Sequence, residues 1–354
     1  MADTPSYGSS RETLDKMGEA LKGARRLCVV THDNPDPDSV SSAFALAYLS
    51  KNLFKVRATV KYGGIVGRPE NRAMIRVLGL RMSELTEKDF SAGTAFALVD
   101  MQPGTGNNSF PAKRKPAIII DHHPQRKTTR ADLMHIRTDY GATATMLTEL
   151  LLASELDIPT PLATALSYGI SSETQDLGRE AGERDIAAYL ALFPKSNKKM
   201  LASIEHPKLP VDHFVTLNKA LHHTVVYKNA VATCLGEIDN PDSVAFIADF
   251  MLRLERMSWC MCLGRYRDKI IVSIRTTNQQ GRAGRFLRSL LGKRGTAGGH
   301  GMIAGGQVPC SMEHESCTRL EEELVKDFMR KLGYKEDAAM TPLLLVSEPD
   351  GGPR

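Results

Sequence analysis

The stretch His32-Asp33-Asn34-Pro35-Asp36-Pro37-Asp38 places one imidazole and three carboxylates within seven residues. Its two prolines disfavour helix, so the side chains can converge. Carboxylates held that close raise one another's pKa unless a cation compensates. The same residues also read as an Asp/Pro turn, with Asp38 or Ser39 capping the next helix. A calcium EF-hand fits less well: counted from Asn34, the sixth and twelfth positions hold Ser39 and Ala45, where Gly and Glu are wanted.

Three more signals follow. Asp100 ends the run Ala95-Phe96-Ala97-Leu98-Val99, and Asp121-His122-His123-Pro124 ends another apolar run. Ser171-Ser172-Glu173-Thr174-Gln175-Asp176 follows an apolar helical stretch. Singly, each reads as an ordinary turn or helix end. Jointly they offer carboxylate and imidazole without thiolate, a donor set suited to Mn²⁺, with Mg²⁺, Fe²⁺ or Co²⁺ as substitutes. Five or six ligands exceed what one catalytic ion needs. Two ions about 3.5–4 Å apart, bridged by a carboxylate, are the common use of such a set in phosphate chemistry.

These residues need elements to position them. Leu27 to Thr31, Lys55 to Val60, Ala95 to Asp100 and Ala117 to Asp121 read as strands. Glu12 to Leu21, Ser39 to Leu49, Ala142 to Leu152 and Pro161 to Ser171 read as helices. Alternation of the two predicts an α/β fold, a parallel sheet with helices on both faces. Three of its strands lead into Asp or His residues, at the carboxyl ends where open α/β sheets bind ligands. The Pro-, Lys- and Ser-rich stretch 193–215 reads as a linker between a metal-binding domain (15–192) and a smaller mixed-sheet α/β domain (216–335), with a tail from 336 to 354. In the second domain, Thr224 to Ile238 predicts two strands and Pro241 to Leu254 a helix. Trp259 to Leu263 and Lys269 to Thr276 predict strands, Arg282 to Leu291 a basic helix, Gly295 to Gly306 a glycine-rich turn before another strand, and Glu321 to Leu332 a closing helix.

Composition sets the outer limits. The 354 residues exceed one compact core, and no apolar run reaches the ~18–20 residues that cross a bilayer. The polar N-terminus lacks a secretory pattern, so a cytoplasmic protein is the expectation. Six scattered cysteines form no C-x-x-C pair and do not imply disulfides in such a compartment. A net charge of +5 is too small to indicate nucleic-acid binding by itself. Arg282, Arg285 and Arg288 share a helix face, but little aromatic interleaving accompanies them. A short substrate suits this better than a long single strand.

The order His32-x-x-x-Asp36-x-Asp38, Asp100, Asp121-His122-His123 resembles the DHH phosphoesterase family. Gly299-His300-Gly301-Met302-Ile303-Ala304-Gly305-Gly306 resembles the glycine-rich signature of its associated C-terminal domain, so the likeness spans roughly residues 25 to 310. The architecture is similar to nanoRNases, phosphoadenosine-phosphate phosphatases and cyclic-dinucleotide phosphodiesterases, and the C-terminal signature points away from the related pyrophosphatases. The resemblance implies roles. His32 and Asp36 hold one metal, Asp38 the other, Asp100 bridges them, and His122 is a further ligand. Glu173 stands where the family's fourth motif has Asp; it is favoured as the last ligand, with Asp176 as the alternative. Asp121 and His123 become catalytic candidates, orienting a ligand and donating to a phosphate or leaving oxygen. Arg275, Gly298, Gly299 and His300 become substrate-binding candidates. The implied reaction is in-line attack by a metal-bridging hydroxide on a short oligonucleotide, a dinucleotide or 3′-phosphoadenosine 5′-phosphate. A non-catalytic nucleotide sensor is the rival, supported by the Glu173 departure. The resemblance also admits a homodimer.

Overall fold

The computed structural model describes residues 8–178, 181–310, 314–334 and 340–345, and the chain forms two compact units, Met1–Pro207 and Lys208–Arg354. The first unit begins with α1 (Gly8–Ala20), β1 (Arg26–Val30), α2 (Pro37–Asn52), β2 (Arg57–Tyr62), α3 (Pro69–Leu78), β3 (Met82–Glu84) and β4 (Thr94–Val99). It continues with β5 (Ile118–Asp121), β6 (Leu133–Ile136), α4 (Thr143–Ala153), α5 (Thr160–Glu173), α6 (Glu183–Leu192) and α7 (Lys198–Glu205). Its six strands pair in the order β3-β2-β1-β4-β5-β6, every pair parallel.

The central strands are buried on both faces, as their unbroken apolar sequences require. Leu27, Val29, Ala97, Val99, Ile118 and Ile120 face one way and pack with α1, α2, α4 and α5. Cys28, Val30, Phe96, Leu98 and Ile119 face the other way, where Leu85, Phe90 and Phe110 cover them. This second layer is a short 3-10 turn (Glu87–Phe90) and loops, thinner than the helical layer opposite.

The chain winds outward from β1 to β3, returns as β4 beside β1, and winds outward again to β6. Strand order therefore reverses between β1 and β4, which opens a crevice at their carboxyl ends. His32 lies two residues past β1, and Asp100 directly follows β4. The stretch 193–215 is not an irregular connector. It contains α7, whose Leu201 and Ile204 are buried with Met74, Leu78 and Tyr168 of the first unit.

The second unit contains α8 (Val211–His223), β7 (Thr224–Tyr227), β8 (Ala230–Glu237), α9 (Asp242–Met251), β9 (Trp259–Tyr266) and β10 (Lys269–Thr276). There follow α10 (Ala283–Leu291), β11 (Thr296–His300), β12 (Ile303–Pro309), α11 (His314–Lys331) and β13 (Thr341–Pro342). The seven strands pair in the order β11-β12-β10-β9-β8-β7-β13. Among the described residues, only β8 and β9 run parallel within this mixed sheet. Helices α10 and α11 cover one face of it, α8 and α9 the other.

Two expectations change here. The segment from Gly295 to Gly306 is a strand pair, β11 and β12, rather than a turn. Glycine serves close packing: a Cβ on Gly284 of α10 would lie 2.0 Å from the Gly299 carbonyl oxygen, so helix and strand meet backbone to backbone. Cys310 and Cys317 form a disulfide across the gap between β12 and α11, with Cα atoms 5.9 Å apart, a separation that spacing in the sequence does not reveal. Among the described residues no helix is long and apolar enough to cross a membrane.

Candidate metal centre

The β1–β4 crevice brings the sequence signals together. The helix cap of α2 is Asp36, not Asp38 or Ser39, because Pro37 takes the first helical position. Asp36 Oδ1 accepts from Ser39 N at 2.9 Å. Its Oδ2 lies 3.4 Å from His32 Nε2, which is 3.5 Å from Asp100 Oδ2. One carboxylate thus caps a helix and also faces the crevice.

Asp38, one residue into α2, is buried. Its carboxylate reaches the N-terminus of α4 and accepts from Thr143 N at 2.9 Å and Ala144 N at 2.6 Å. Those amides are unsatisfied donors of the helix start, at the positive end of its dipole. Close packing permits the reach. A Cβ on Gly169 of α5 would stand 2.2 Å from Ser41 Oγ, so glycine lets α5 lie tightly on α2.

Asp100 sits at the centre. Its φ of +59° is left-handed, a strained conformation for a non-glycine residue that costs about 1–3 kcal/mol. Asp100 N bonds to Ile120 O at 2.9 Å, and Thr143 Oγ1 donates to its carboxylate at 2.9 Å. Asp100 Oδ1 lies 3.5 Å from His122 Nε2 and 3.6 Å from His123 Nδ1. Two groups able to hold an ion, His32/Asp36/Asp100 and Asp100/His122/His123, therefore share one carboxylate.

The DHH triplet divides its work. Asp121 Oδ1 lies 2.8 Å from His123 Nδ1, and Gln102 Nε2 donates to Asp121 Oδ2 at 2.7 Å. Burial alone would raise Asp121, but His123 and Gln102 hold it below the usual carboxylate range. Burial would lower His123, but Asp121 and the Asp100 charge lift it to about 9. The His122 ring turns Nδ1 to the Tyr140 carbonyl oxygen at 3.2 Å. Its Nε2 is buried and makes no hydrogen bond.

Charge is crowded throughout. Burial pushes Asp38 well above its ordinary pKa, and the charges of Asp100, Asp36 and Glu173 push the same way. Burial opposes the charged forms of His32 and Asp36, but their mutual attraction prevails: His32 is raised and Asp36 lowered. Glu173, the last residue of α5, acts electrostatically on Asp38 and His123. Asp176 acts instead on Tyr168, Tyr189 and Glu205. After Glu173 the chain makes a left-handed turn, with φ of 47°, 55° and 64° at Gln175, Asp176 and Leu177. An ion suits this place on two counts: a buried imidazole nitrogen without a hydrogen bond, and the buried carboxylates of Asp38 and Asp100.

Sequence reasoning passed over several residues that hold the centre in place. Gln102 fixes Asp121; Thr143, the Ala144 amide and the Tyr140 carbonyl fix Asp100, Asp38 and His122. Gly141 to Thr145 spans the start of α4, and only its place as a helix start could have drawn notice.

The remaining candidates belong to the second unit. Arg275 on β10 is buried, its Nε pairing with Asp249 of α9 and its Nη1 donating to Ser273 Oγ at 2.8 Å. Gly299 has φ +131° and packs on α10, whereas Gly298 borders open space. The side chain of His300 lies outside the described part of the structure. Arg282, Arg285 and Arg288 are exposed.

Comparison with known proteins shows the family. The model of the DHH family N-terminal domain matches residues 26–170. An uncharacterized protein of Methanocaldococcus jannaschii is 32% identical over 332 residues, 92% of this chain and 67% of that protein. A manganese-dependent inorganic pyrophosphatase of the same organism is 32% identical over 130 residues, 37% of this chain and 39% of the enzyme. The chain spans about half or less of the curated pyrophosphatases it matches. The crystal structure of an exopolyphosphatase-related protein from Bacteroides fragilis shares the fold, with a TM-score of 0.68, 15% identity, and coverage of 91% of this chain and 98% of that one. The chain belongs to the DHH phosphoesterase family.

Proposed function

We propose that the chain is a two-metal, Mn²⁺-dependent phosphoesterase acting on short oligonucleotides or small nucleotide phosphoesters. The observation that carries this is the sharing of Asp100 between two ligand groups in one buried crevice. His32 and Asp36 would hold one ion and His122 the other, with Asp100 shared; Asp38 and Glu173, which lie outside the two groups that share Asp100, would complete the second set. Bound divalent ions would lower the pKa of water and neutralise charge on the phosphoryl oxygens.

The chain's own residues supply the rest. Thr143 and the α4 amides fix Asp100 and Asp38 before substrate arrives, so little reorganisation is left for the reaction. Asp121 Oδ1, 2.8 Å from His123 Nδ1, orients that ring, and His123 would be placed to donate a proton to a phosphate or leaving oxygen. In the second unit the exposed arginines of α10 and the open backbone at Gly298 are the anion-facing features. Arg275 joins them only by leaving Asp249.

The test is product analysis with Mn²⁺ and a chelator control, using a diribonucleotide, a longer oligonucleotide, 3′-phosphoadenosine 5′-phosphate, cyclic di-AMP and pyrophosphate. Chelator-sensitive turnover confined to small nucleotides is the expected result. Hydrolysis of pyrophosphate alone would replace the substrate class. A nucleotide-induced thermal shift with no turnover on any of them would favour the sensor.

A further inference from the structure

Residues 140–145 touch three of the candidate ligands at once. The Tyr140 carbonyl turns His122, Thr143 Oγ1 donates to Asp100, and the Thr143 and Ala144 amides grip Asp38. Something must hold this segment, because its functional groups are mostly backbone and go wherever the backbone goes. The first turn of α6 does so. Asp185 is fully buried. Its carboxylate accepts from Gly141 N at 3.1 and 3.0 Å, from Thr145 Oγ1 at 2.5 Å and from Gly182 N at 2.8 Å. Next to it, Arg184 Nη1 donates to Tyr140 Oη at 2.7 Å and to Glu149 at 3.0 Å.

We infer that Asp185 is a positioning residue for the metal centre: through Gly141 and Thr145 it sets the segment that orients Asp38, Asp100 and His122. It touches no substrate and is not a ligand. Its carboxylate spans both sides of the segment's turn into α4, so the α4 amides keep their aim at Asp38. Outer partners of ligands commonly govern metal affinity as well as geometry, at about 10–100-fold per residue. The inference rests on the two-metal reading and adds a control point outside the ligands themselves.

Asparagine offers a conservative probe. Its carbonyl oxygen can take the Gly141 and Gly182 amides, and its amide can donate to Thr145 Oγ1, so the hydrogen-bonded clamp survives without the charge. Alanine removes it. The experiment is an Mn²⁺ titration followed by electron paramagnetic resonance on the full chain, beside amide hydrogen exchange on metal-free protein. Asp185→Ala is expected to weaken Mn²⁺ binding by about 10–100-fold and to unprotect the Thr143 and Ala144 amides, while Asp185→Asn stays within a few-fold of wild type. Should Asp185→Ala fail to fold, Thr145→Val removes one arm of the clamp and is expected to weaken Mn²⁺ several-fold. A lowered Tm with wild-type Mn²⁺ affinity in Asp185→Ala, or in Thr145→Val where that is the variant that folds, would overturn the inference, as would Asp185→Asn binding as weakly as Asp185→Ala. Wild-type protein that binds no Mn²⁺ would overturn the metal reading itself and this inference with it.

Discussion

The two units treat their charged residues in opposite ways. In the first, Asp36, Asp38, Asp100 and Glu173 crowd a crevice where strand order reverses, and their fields raise Asp38 on top of its burial. In the second, the buried Arg275 meets Asp249 through Nε and Ser273 and the Ile274 carbonyl through Nη1. One region stores unbalanced charge and the other cancels it. A protein can keep a crowd of buried carboxylates only where something else completes them. The contrast favours the first unit for the cation site proposed above, and leaves Arg275 paired across β10 and α9.

The largest expected effect strikes the shared carboxylate. Asp100→Asn keeps the Thr143 contact but removes the charge common to both ligand groups. Metal-dependent turnover should fall by more than about a thousandfold, equivalent to ~4 kcal/mol of barrier. Because one of four mutually repelling carboxylates is gone, the metal-free protein should be no less stable than wild type. Turnover within tenfold of wild type at saturating Mn²⁺ would break the assignment of Asp100 to both ions.

Next comes the packing that delivers Asp38. Gly169→Ala places a methyl 2.2 Å from Ser41 Oγ and must push α5 off α2 or displace Ser41. Overpacking of this kind costs about 1–3 kcal/mol, read as a Tm lower by several degrees. Mn²⁺ should also bind more weakly, since Asp38 is carried on α2. An unchanged Tm would mean that the interface between these helices is slack.

A smaller effect is expected at Arg275→Met, which fills similar space but removes the Arg275 donors from Asp249 and Ser273. Asp249 is 40% exposed, so screening trims the loss, and about 1–2 kcal/mol of stability is expected. Mn²⁺ affinity in the first unit should stay as in wild type. A loss of nucleotide affinity with unchanged stability would instead return Arg275 to the substrate site.

Much of the candidate centre was legible because it gathers chemically rare residues at strand ends. His32, Asp36, Asp100 and His122 needed only the strands before them to be singled out, and the structure brings them into one crevice. The parallel fold was legible from Leu27 to Thr31 and Ala117 to Asp121, where apolar runs stop at polar residues. The supports were not legible. Thr143 and Asp185 are ordinary residues in ordinary helix starts, and their importance lies in contacts 43 and 44 positions away in sequence. Arg275 shows the converse: a strand residue of striking chemistry whose partner, Asp249, comes from a helix that pattern alone cannot dock. Elements as short as β3, with three residues, and α7, with eight, span too few positions to be found without their neighbours.

Two histidines of the first unit repeat the opening contrast on a smaller scale. Asp121 and the Asp100 charge overcome burial to lift His123 to about 9, while burial, aided by the charge of Arg137, holds His135 on β6 down at about 4. Asp139 opposes that lowering, and Arg184 and Lys16 add to it. The folded protein therefore favours neutral His135, whereas the unfolded chain takes a proton near pH 6.5. Stability tied to this residue is present above pH 6.5 and is lost as pH falls toward 4, with about 2 kcal/mol at stake between pH 7 and pH 5. His135→Gln, neutral at every pH, should remove that share of the acid sensitivity. Urea unfolding of metal-free wild type and variant at pH 7 and pH 5 reads it directly, without contribution from metal release. An equal drop in both proteins would show that His135 is solvated rather than held neutral by burial, and the contrast with His123 would rest on Asp121 alone.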